Sequence, residues 1–99
     1  ITSASTITPA GDTCDQYNVT ALAVPATIDG PSGTPVSGQK LILRLKDDGT
    51  KRALSWNPIY QTVGTLLPAE TTAGKLTYVG LVYNSDATKW DVVAVTTQV

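Results

Sequence analysis

Apolar and polar residues alternate with a period of two in the run GQKLILRLKDDGTKRALSW, residues 38–56. Such alternation is typical of a β-strand whose two faces meet different surroundings. One face of the first half carries three leucines, and the other carries an isoleucine and two basic residues: Leu41, Leu43 and Leu45 against Ile42, Arg44 and Lys46. Residues 47–50 supply turn chemistry, and the segment after them places Arg52, Leu54 and Trp56 on one face. The pattern predicts a β-hairpin whose apolar face is covered by the other strands.

Four other segments have the composition and periodicity of strands: residues 17–24, 26–28, 75–83 and 89–95. The third is nearly continuously apolar, as a strand covered on both faces would be, and a turn at residues 84–88 joins it to the fourth. Residues 59–63 predict one helical turn, and no long segment keeps the apolar repeat of an amphipathic helix. About six to eight short strands, separated by Gly, Pro, Asn and Asp, predict a small antiparallel β-sandwich or barrel.

The long connections and the N-terminal segment are predicted to lie outside the main strands. Residues 29–38 form a surface loop rich in Gly and Pro, and residues 65–74 form another loop whose paired leucines are expected to contact the core. Residues 1–10 predict a polar N-terminal arm or an edge strand, with too few apolar residues to hold a place in the core. Residues 11–99 then form a single β-sandwich domain, because a chain of 99 residues makes one small domain.

Charged residues are unusually sparse in this chain. They make up 15% of it, against about 25% in ordinary soluble domains, and seven basic residues nearly balance eight acidic ones. This balance lacks the electrostatic footprint of a protein that binds nucleic acid or an anionic membrane. A surface with few charges favours burial against other copies or a larger particle. The alternative is a Thr-rich β-domain that has no such partner.

The residue types that usually carry catalysis or bind metals are scarce. There is no His and only one Cys, Cys14, so no imidazole is present to activate the thiol and no intrachain disulfide can form. The only adjacent carboxylates, Asp47 and Asp48, fall in the predicted turn, where both are expected to be exposed and to ionise normally. Asp12 and Asp15 are too sparse to indicate a calcium loop. The sequence therefore predicts that the chain is not an enzyme, with no catalytic, cofactor-binding or metal-binding residues and no cofactor.

Six aromatic residues remain as candidates for binding: Tyr17, Trp56, Tyr60, Tyr78, Tyr83 and Trp90. Tyrosine and tryptophan stack on sugar rings and anchor protein interfaces, but each of these six lies in or beside an apolar strand pattern. Core packing is the first interpretation for Trp56 and Trp90. A subunit interface and a ligand platform are the alternatives.

Three runs together resemble a known family: TPVSGQKLILRLKDDGTKRALSWNPIY at residues 34–60, TYVGLVYN at residues 77–84 and TKWDVVAV at residues 88–95. They are similar to the small β-domains of tailed-bacteriophage virions, which occur at the ends of tail-fibre-like proteins and as capsid decoration (cement) proteins. The resemblance implies a jelly-roll-like sandwich, commonly trimeric, that acts by adhesion and not by catalysis. It brings no catalytic residue to this chain.

The resemblance leaves two virion roles open. A fibre protein is expected to carry an attachment region ahead of such a domain, whereas residues 1–10 offer only a short polar arm. We therefore expect a capsid decoration protein on the virion surface, a homotrimer that binds the major capsid protein between capsomers. Its N-terminal arm, residues 1–10, is expected to reach the shell or an adjacent subunit. The alternative is a receptor- or carbohydrate-binding tip of a tail fibre or baseplate, in which residues 29–38 and 65–74 contact a host receptor or glycan. A third hypothesis is a free-standing bacterial β-sandwich. None of these roles involves nucleic acid or a membrane.

Overall fold

The computed structural model describes residues 1–12 and 15–98, and these residues are all-β, as the sequence predicts. Eight strands follow one another along the chain: β1 (Thr6–Ile7), β2 (Gln16–Leu22), β3 (Ala26–Ile28), β4 (Lys40–Asp47), β5 (Leu54–Trp56), β6 (Tyr60–Thr62), β7 (Leu76–Asn84) and β8 (Lys89–Thr97). The described residues contain no helix. The helical turn predicted at residues 59–63 is wrong, because this segment forms β6 and pairs with β8, with Tyr60 opposite Trp90.

The strands form two sheets. A three-stranded sheet has the order β1-β3-β5, and a five-stranded sheet has the order β2-β4-β7-β8-β6. The antiparallel prediction holds only for β4, β7 and β8; the small sheet is entirely parallel, and β2 and β6 run parallel to their neighbours. Up to β6 the chain passes to the other sheet after every strand. Successive strands of one sheet therefore return in the same direction, which a crossover connection permits and a hairpin does not.

The predicted hairpin between β4 and β5 is wrong. The turn at residues 47–50 forms, and Gly49 has a φ of 105° there, but β5 pairs with β3 in the small sheet. Strand β4 pairs instead with β7, from Lys40 to Lys46, because β7 offers a run of ladder partners that a three-residue strand cannot supply. The second predicted hairpin is confirmed: β7 and β8 are antiparallel neighbours joined by a tight turn.

The core lies between the two sheets. Fourteen buried apolar residues form one cluster: Ile7, Val19, Leu22, Ala26, Ile28, Leu41, Leu43, Leu45, Leu54, Tyr60, Val79, Leu81, Trp90 and Val92. The three leucines of β4 are at most 1% exposed, as their alternation predicts. The N-terminal segment also contributes, because Ile7 of β1 is 1% exposed, although residues 1–10 were expected to hold no place in the core. This arrangement is sandwich-like.

The first three residues lie along the outer edge of β2. The Ile1 ammonium group donates to the Asn18 carbonyl oxygen at 2.9 Å, and the Thr20 N–H donates to the Ile1 carbonyl oxygen at 3.0 Å. The Ala21 N–H continues this pattern with the Thr2 carbonyl oxygen. These residues are therefore held against their own chain.

The paired leucines of the 65–74 loop differ in their surroundings. Leu67 packs against the core, as predicted. Leu66 is 82% exposed, so the expectation that it contacts the core is wrong.

We predict that the two tryptophans differ in their contribution to stability. Trp90 is 1% exposed, and Trp90→Ala is expected to lower the free energy of unfolding by about 3–5 kcal/mol, because it leaves a large cavity. Trp56→Ala is expected to cost about 1–3 kcal/mol, because the Trp56 ring is only half-buried and the change removes one hydrogen bond. Urea unfolding followed by circular dichroism measures both values. Equal midpoints for the two variants would contradict this difference in burial.

Candidate interaction surface

Asp47, predicted to be exposed, is 2% exposed and fully hydrogen-bonded. Its Oδ2 accepts from the Thr71 hydroxyl at 2.6 Å, and its Oδ1 accepts from the Gly74 and Gly49 N–H groups at 2.7 and 3.0 Å. Burial raises the pKa of the Asp47 carboxyl, but these hydrogen bonds and the positive charge of Arg52 together hold the pKa below its ordinary value of 3.8. The expectation of an exposed, normally ionising carboxylate is therefore wrong. Through these hydrogen bonds Asp47 joins the turn at residues 47–50 to the loop at residues 65–74.

Asp48 forms an ion pair four residues along the chain. Arg52 Nη2 donates to both carboxylate oxygens of Asp48, at 3.0 and 2.9 Å. The hydrogen bond from Arg52 lowers the pKa of this carboxyl. The pair therefore closes the turn at residues 47–50, and the two adjacent carboxylates have separate partners.

A second polar network lies beyond the carboxyl ends of the parallel strands β3 and β5. Asp29 Oδ1 accepts from Asn57 Nδ2 at 2.9 Å and from the Gly30 N–H at 2.8 Å. The Tyr60 hydroxyl donates to the Asp29 carbonyl oxygen at 2.6 Å. Burial of the Tyr60 ring, with the negative charge of Asp29 beside it, raises the pKa of the phenol. The network fixes the loops at this end of the molecule.

The remaining acidic candidates do not assemble into a metal site. Asp12 Oδ2 accepts from the Thr34 N–H at 2.9 Å, and Asp15 contributes its backbone carbonyl to the Ile42 N–H. Cys14 lies outside the described residues. Within residues 1–12 and 15–98, no three His, Cys, Asp or Glu side chains are grouped so that they could hold a metal ion, and there is no pocket.

Both tryptophan side chains contact other residues of the same chain. Trp90 packs in the core, edge-on to Tyr83 with ring centroids 5.2 Å apart. Trp56 is half-buried and edge-on to Tyr60, with centroids 5.4 Å apart, and its indole N–H donates to the Pro68 carbonyl oxygen at 2.8 Å. Core packing is confirmed for Trp90, and Trp56 lies at the margin of the core. The other aromatic rings are likewise buried or half-buried.

Among the described residues, one side of the five-stranded sheet has no other segment of the chain packed over it, and we call this side the outer face. It comprises the side chains of β4, β7 and β8 that alternate with the buried ones: Lys40, Ile42, Arg44, Lys46, Leu76, Tyr78, Gly80, Val82, Asn84, Lys89, Asp91, Val93, Ala94 and Thr96. Ile42 lies opposite Gly80, which in turn lies opposite Ala94. This row crosses the middle of the sheet.

A β-bulge enlarges the apolar part of the outer face. The ladder shifts register where Gly80 pairs with Ala94 and Leu81 pairs with Val92, which leaves Val93 as the extra residue. Val93 is 51% exposed, and Ile42 is 41% exposed. The bulge therefore exposes both Val93 and its neighbour Ala94, where a regular strand would bury one of them.

The cations of the outer face are concentrated on β4. Lys40, Arg44 and Lys46 share its outer side, and none of them forms an ion pair within the described part of the chain. Arg44 Nε donates to the Tyr78 hydroxyl at 3.2 Å, and the guanidinium carbon lies 5.9 Å from the centroid of the same ring. The carboxylate of Asp91 accepts from the side-chain amides of Gln61 and Asn84, both at 3.2 Å.

The sequence placed Ile42, Arg44 and Lys46 on the face opposite the leucines, and the structure confirms this. It did not identify them as a candidate site, nor did it connect Arg44 with Tyr78. The available signal is an isoleucine between basic residues on a strand whose other face carries three leucines. The contact with Tyr78 had no local signal, because the two residues are 34 positions apart.

Comparisons of the chain with known protein families, with curated proteins and with solved structures find no match. No helix among the described residues is long and apolar enough to cross a membrane.

We predict that Asp47 stabilises the fold in a pH-dependent way. Because its pKa is lowered in the folded chain, this stabilisation is present above the pKa of the unfolded chain and is lost as the pH falls through the folded-state value. Asp47→Asn is expected to reduce the free energy of unfolding by about 1–3 kcal/mol at neutral pH. Urea unfolding across the acid range should show the difference from wild type shrinking as the pH falls. Asp86→Asn, in an exposed turn, is the control, and a pH-independent gap for Asp47→Asn would contradict the assignment.

Proposed function

We propose that this chain is a structural protein of a tailed-bacteriophage virion, a decoration (cement) protein that binds the major capsid protein between capsomers. The observation that carries the proposal is the outer face, where Ile42 and Val93 are exposed beside the basic side chains of β4. Contiguous exposed apolar residues with polar neighbours mark sites of protein–protein contact. The resemblance of residues 34–60, 77–84 and 88–95 to virion β-domains supports the same role.

The sparse charge supports an adhesive role as well. Charged residues make up 15% of the chain, and a domain with few charges and a net charge near zero has little electrostatic repulsion between copies. Burying part of this surface against a large particle removes exposed apolar area from water. The proposed homotrimer and the jelly-roll-like description of the two sheets come from the family resemblance and form part of this proposal.

The proposal assigns capsid contact to the outer face and not to a free N-terminal arm. Ile1 and Thr2 form hydrogen bonds with Asn18, Thr20 and Ala21 of β2. Ser3 Oγ accepts from the Ala23 N–H just after this strand, at 3.0 Å. Residues 1–3 therefore cover the edge of β2 in their own chain. The outer face has no such partner within the described residues, so it is the better candidate for the capsid contact.

We expect labelling of intact phage particles with an antibody against this chain to mark the head. Gold label on the tail would contradict the decoration role and support the tip-domain alternative. Absence of the chain from purified particles would contradict both virion roles.

Analytical ultracentrifugation of the isolated protein tests the oligomeric state, with an expected mass of three times the 10.4 kDa chain. A stable monomer at high concentration would contradict the trimer.

A receptor-binding tip is the second candidate, and exposed loop residues favour it. Val36 is 69% exposed in the loop before β4, and Val63 and Leu66 are 50% and 82% exposed after β6. Stacking on a sugar ring needs an accessible aromatic face, and all six aromatic side chains are buried or half-buried. Within this alternative, a protein receptor therefore fits better than a glycan.

The two candidates predict different effects of a loop variant. If the chain is a receptor-binding tip, Leu66→Ser is expected to reduce adsorption of phage to host cells, because it removes a large apolar side chain that is 82% exposed. If it is a decoration protein, the same change leaves adsorption and head occupancy unchanged. Adsorption assays on particles carrying the variant separate the two, with Thr72→Ser in the same loop as a matched control.

A further inference from the structure

We propose that the outer face binds a protein surface on which a carboxylate lies beside an apolar patch, and that Arg44 is the residue on which the affinity of this contact most depends. This inference deepens the proposed function and rests on it for the identity of the partner in the virion. The contact chemistry itself follows from the arrangement of Arg44, Tyr78 and their neighbours.

Arg44 is held in position before any partner arrives. The register between β4 and β7 sets Arg44 directly opposite Tyr78, and the Tyr78 hydroxyl accepts from Arg44 Nε at 3.2 Å. The Nη groups of Arg44 have no hydrogen-bond partner among the described residues. A guanidinium group presents these donors as a planar fork that matches a carboxylate. Because the side chain is already ordered, binding loses less conformational entropy than it would for a free arginine.

The charge of the outer face selects an acidic partner. Lys40 and Lys46 lie on the same side of β4 as Arg44. Lys89 of β8 adds a fourth cation, and Asp91 is the acidic residue among the outer-face residues. Because four cations face one carboxylate, the outer face is positive although the whole chain has a net charge of -1. Complementary charge favours encounter with an acidic surface and disfavours a basic one.

The apolar residues of the face favour a protein over a nucleic acid. Ile42 and Val93 are exposed on either side of Gly80, and burying them requires an apolar surface on the partner. A phosphate backbone provides no such surface and binds best to longer runs of cations. The ring of Tyr78 lies under the Arg44 guanidinium, so it is not free to stack on a base. A protein with an acidic residue beside apolar side chains meets all of these requirements.

A titration monitored by NMR tests this inference with a defined probe, a random copolymer of glutamate and tyrosine. We expect amide shift changes confined to the outer-face positions of β4, β7 and β8. Arg44→Glu should weaken binding by about thirtyfold, as for a hot-spot residue, and Arg44→Lys should weaken it less, because charge remains but the fork is lost. Lys51→Glu is the matched control, since it makes the same charge change at a 67% exposed side chain outside the outer face. It removes only an exposed ion pair with Glu70, whose charged atoms are 3.6 Å apart. Thermal unfolding of each variant confirms that it is folded.

Several results would overturn the inference. They are no shift change with the wild-type chain, shift changes confined to the loops, unaltered binding by Arg44→Glu, or duplex DNA binding as tightly as the copolymer. The amount of the chain found on purified phage particles distinguishes a failure of this inference from a failure of the proposed function. If the wild-type chain is absent from particles, the proposed function fails while the titration still decides the chemistry of the face. If Arg44→Glu occupies particles as fully as Lys51→Glu does, the inference fails while the proposed function stands.

Discussion

The burial of the leucine face of β4 is the interaction on which the rest of the structure depends. Leu41, Leu43 and Leu45 are at most 1% exposed and lie in the cluster between the two sheets. Because side chains alternate along a strand, burying these leucines fixes Arg44 and its neighbours on the opposite face. A shift of one residue in register would bury the cations and expose the leucines. Core packing therefore determines which side chains a partner can meet.

Local features of the fold could be predicted from the sequence, and distant pairings could not. The alternation in β4, the turn with its glycine at positive φ, and the β7–β8 hairpin all depend on residues close together in the chain. The pairing of β4 with β7 in place of β5 depends on how well two remote segments fit, which no periodicity records. The parallel pairing of β1, β3 and β5 could not be predicted from the sequence pattern either. It arises because the chain crosses to the other sheet after each of the early strands.

The candidate site shows the same division. The side of β4 on which Arg44 lies follows from counting residues, but its contact with Tyr78 depends on the register between two strands. Asp47 was expected to be exposed because it stands beside a turn. It is buried because Thr71 and Gly74 arrive from a loop more than twenty residues away and supply its hydrogen bonds. Polar residues in turns are thus poor guides to exposure when a second loop folds over them.

The placement of the first three residues along β2 also constrains how copies of this chain can assemble. An open strand edge is a template on which a neighbouring molecule can add its own backbone, and repeated addition leads to fibres. Ile1 and Thr2 already occupy backbone groups of Asn18, Thr20 and Ala21. A neighbouring molecule therefore cannot add a strand directly to β2 at these positions without displacing the first residues of the chain.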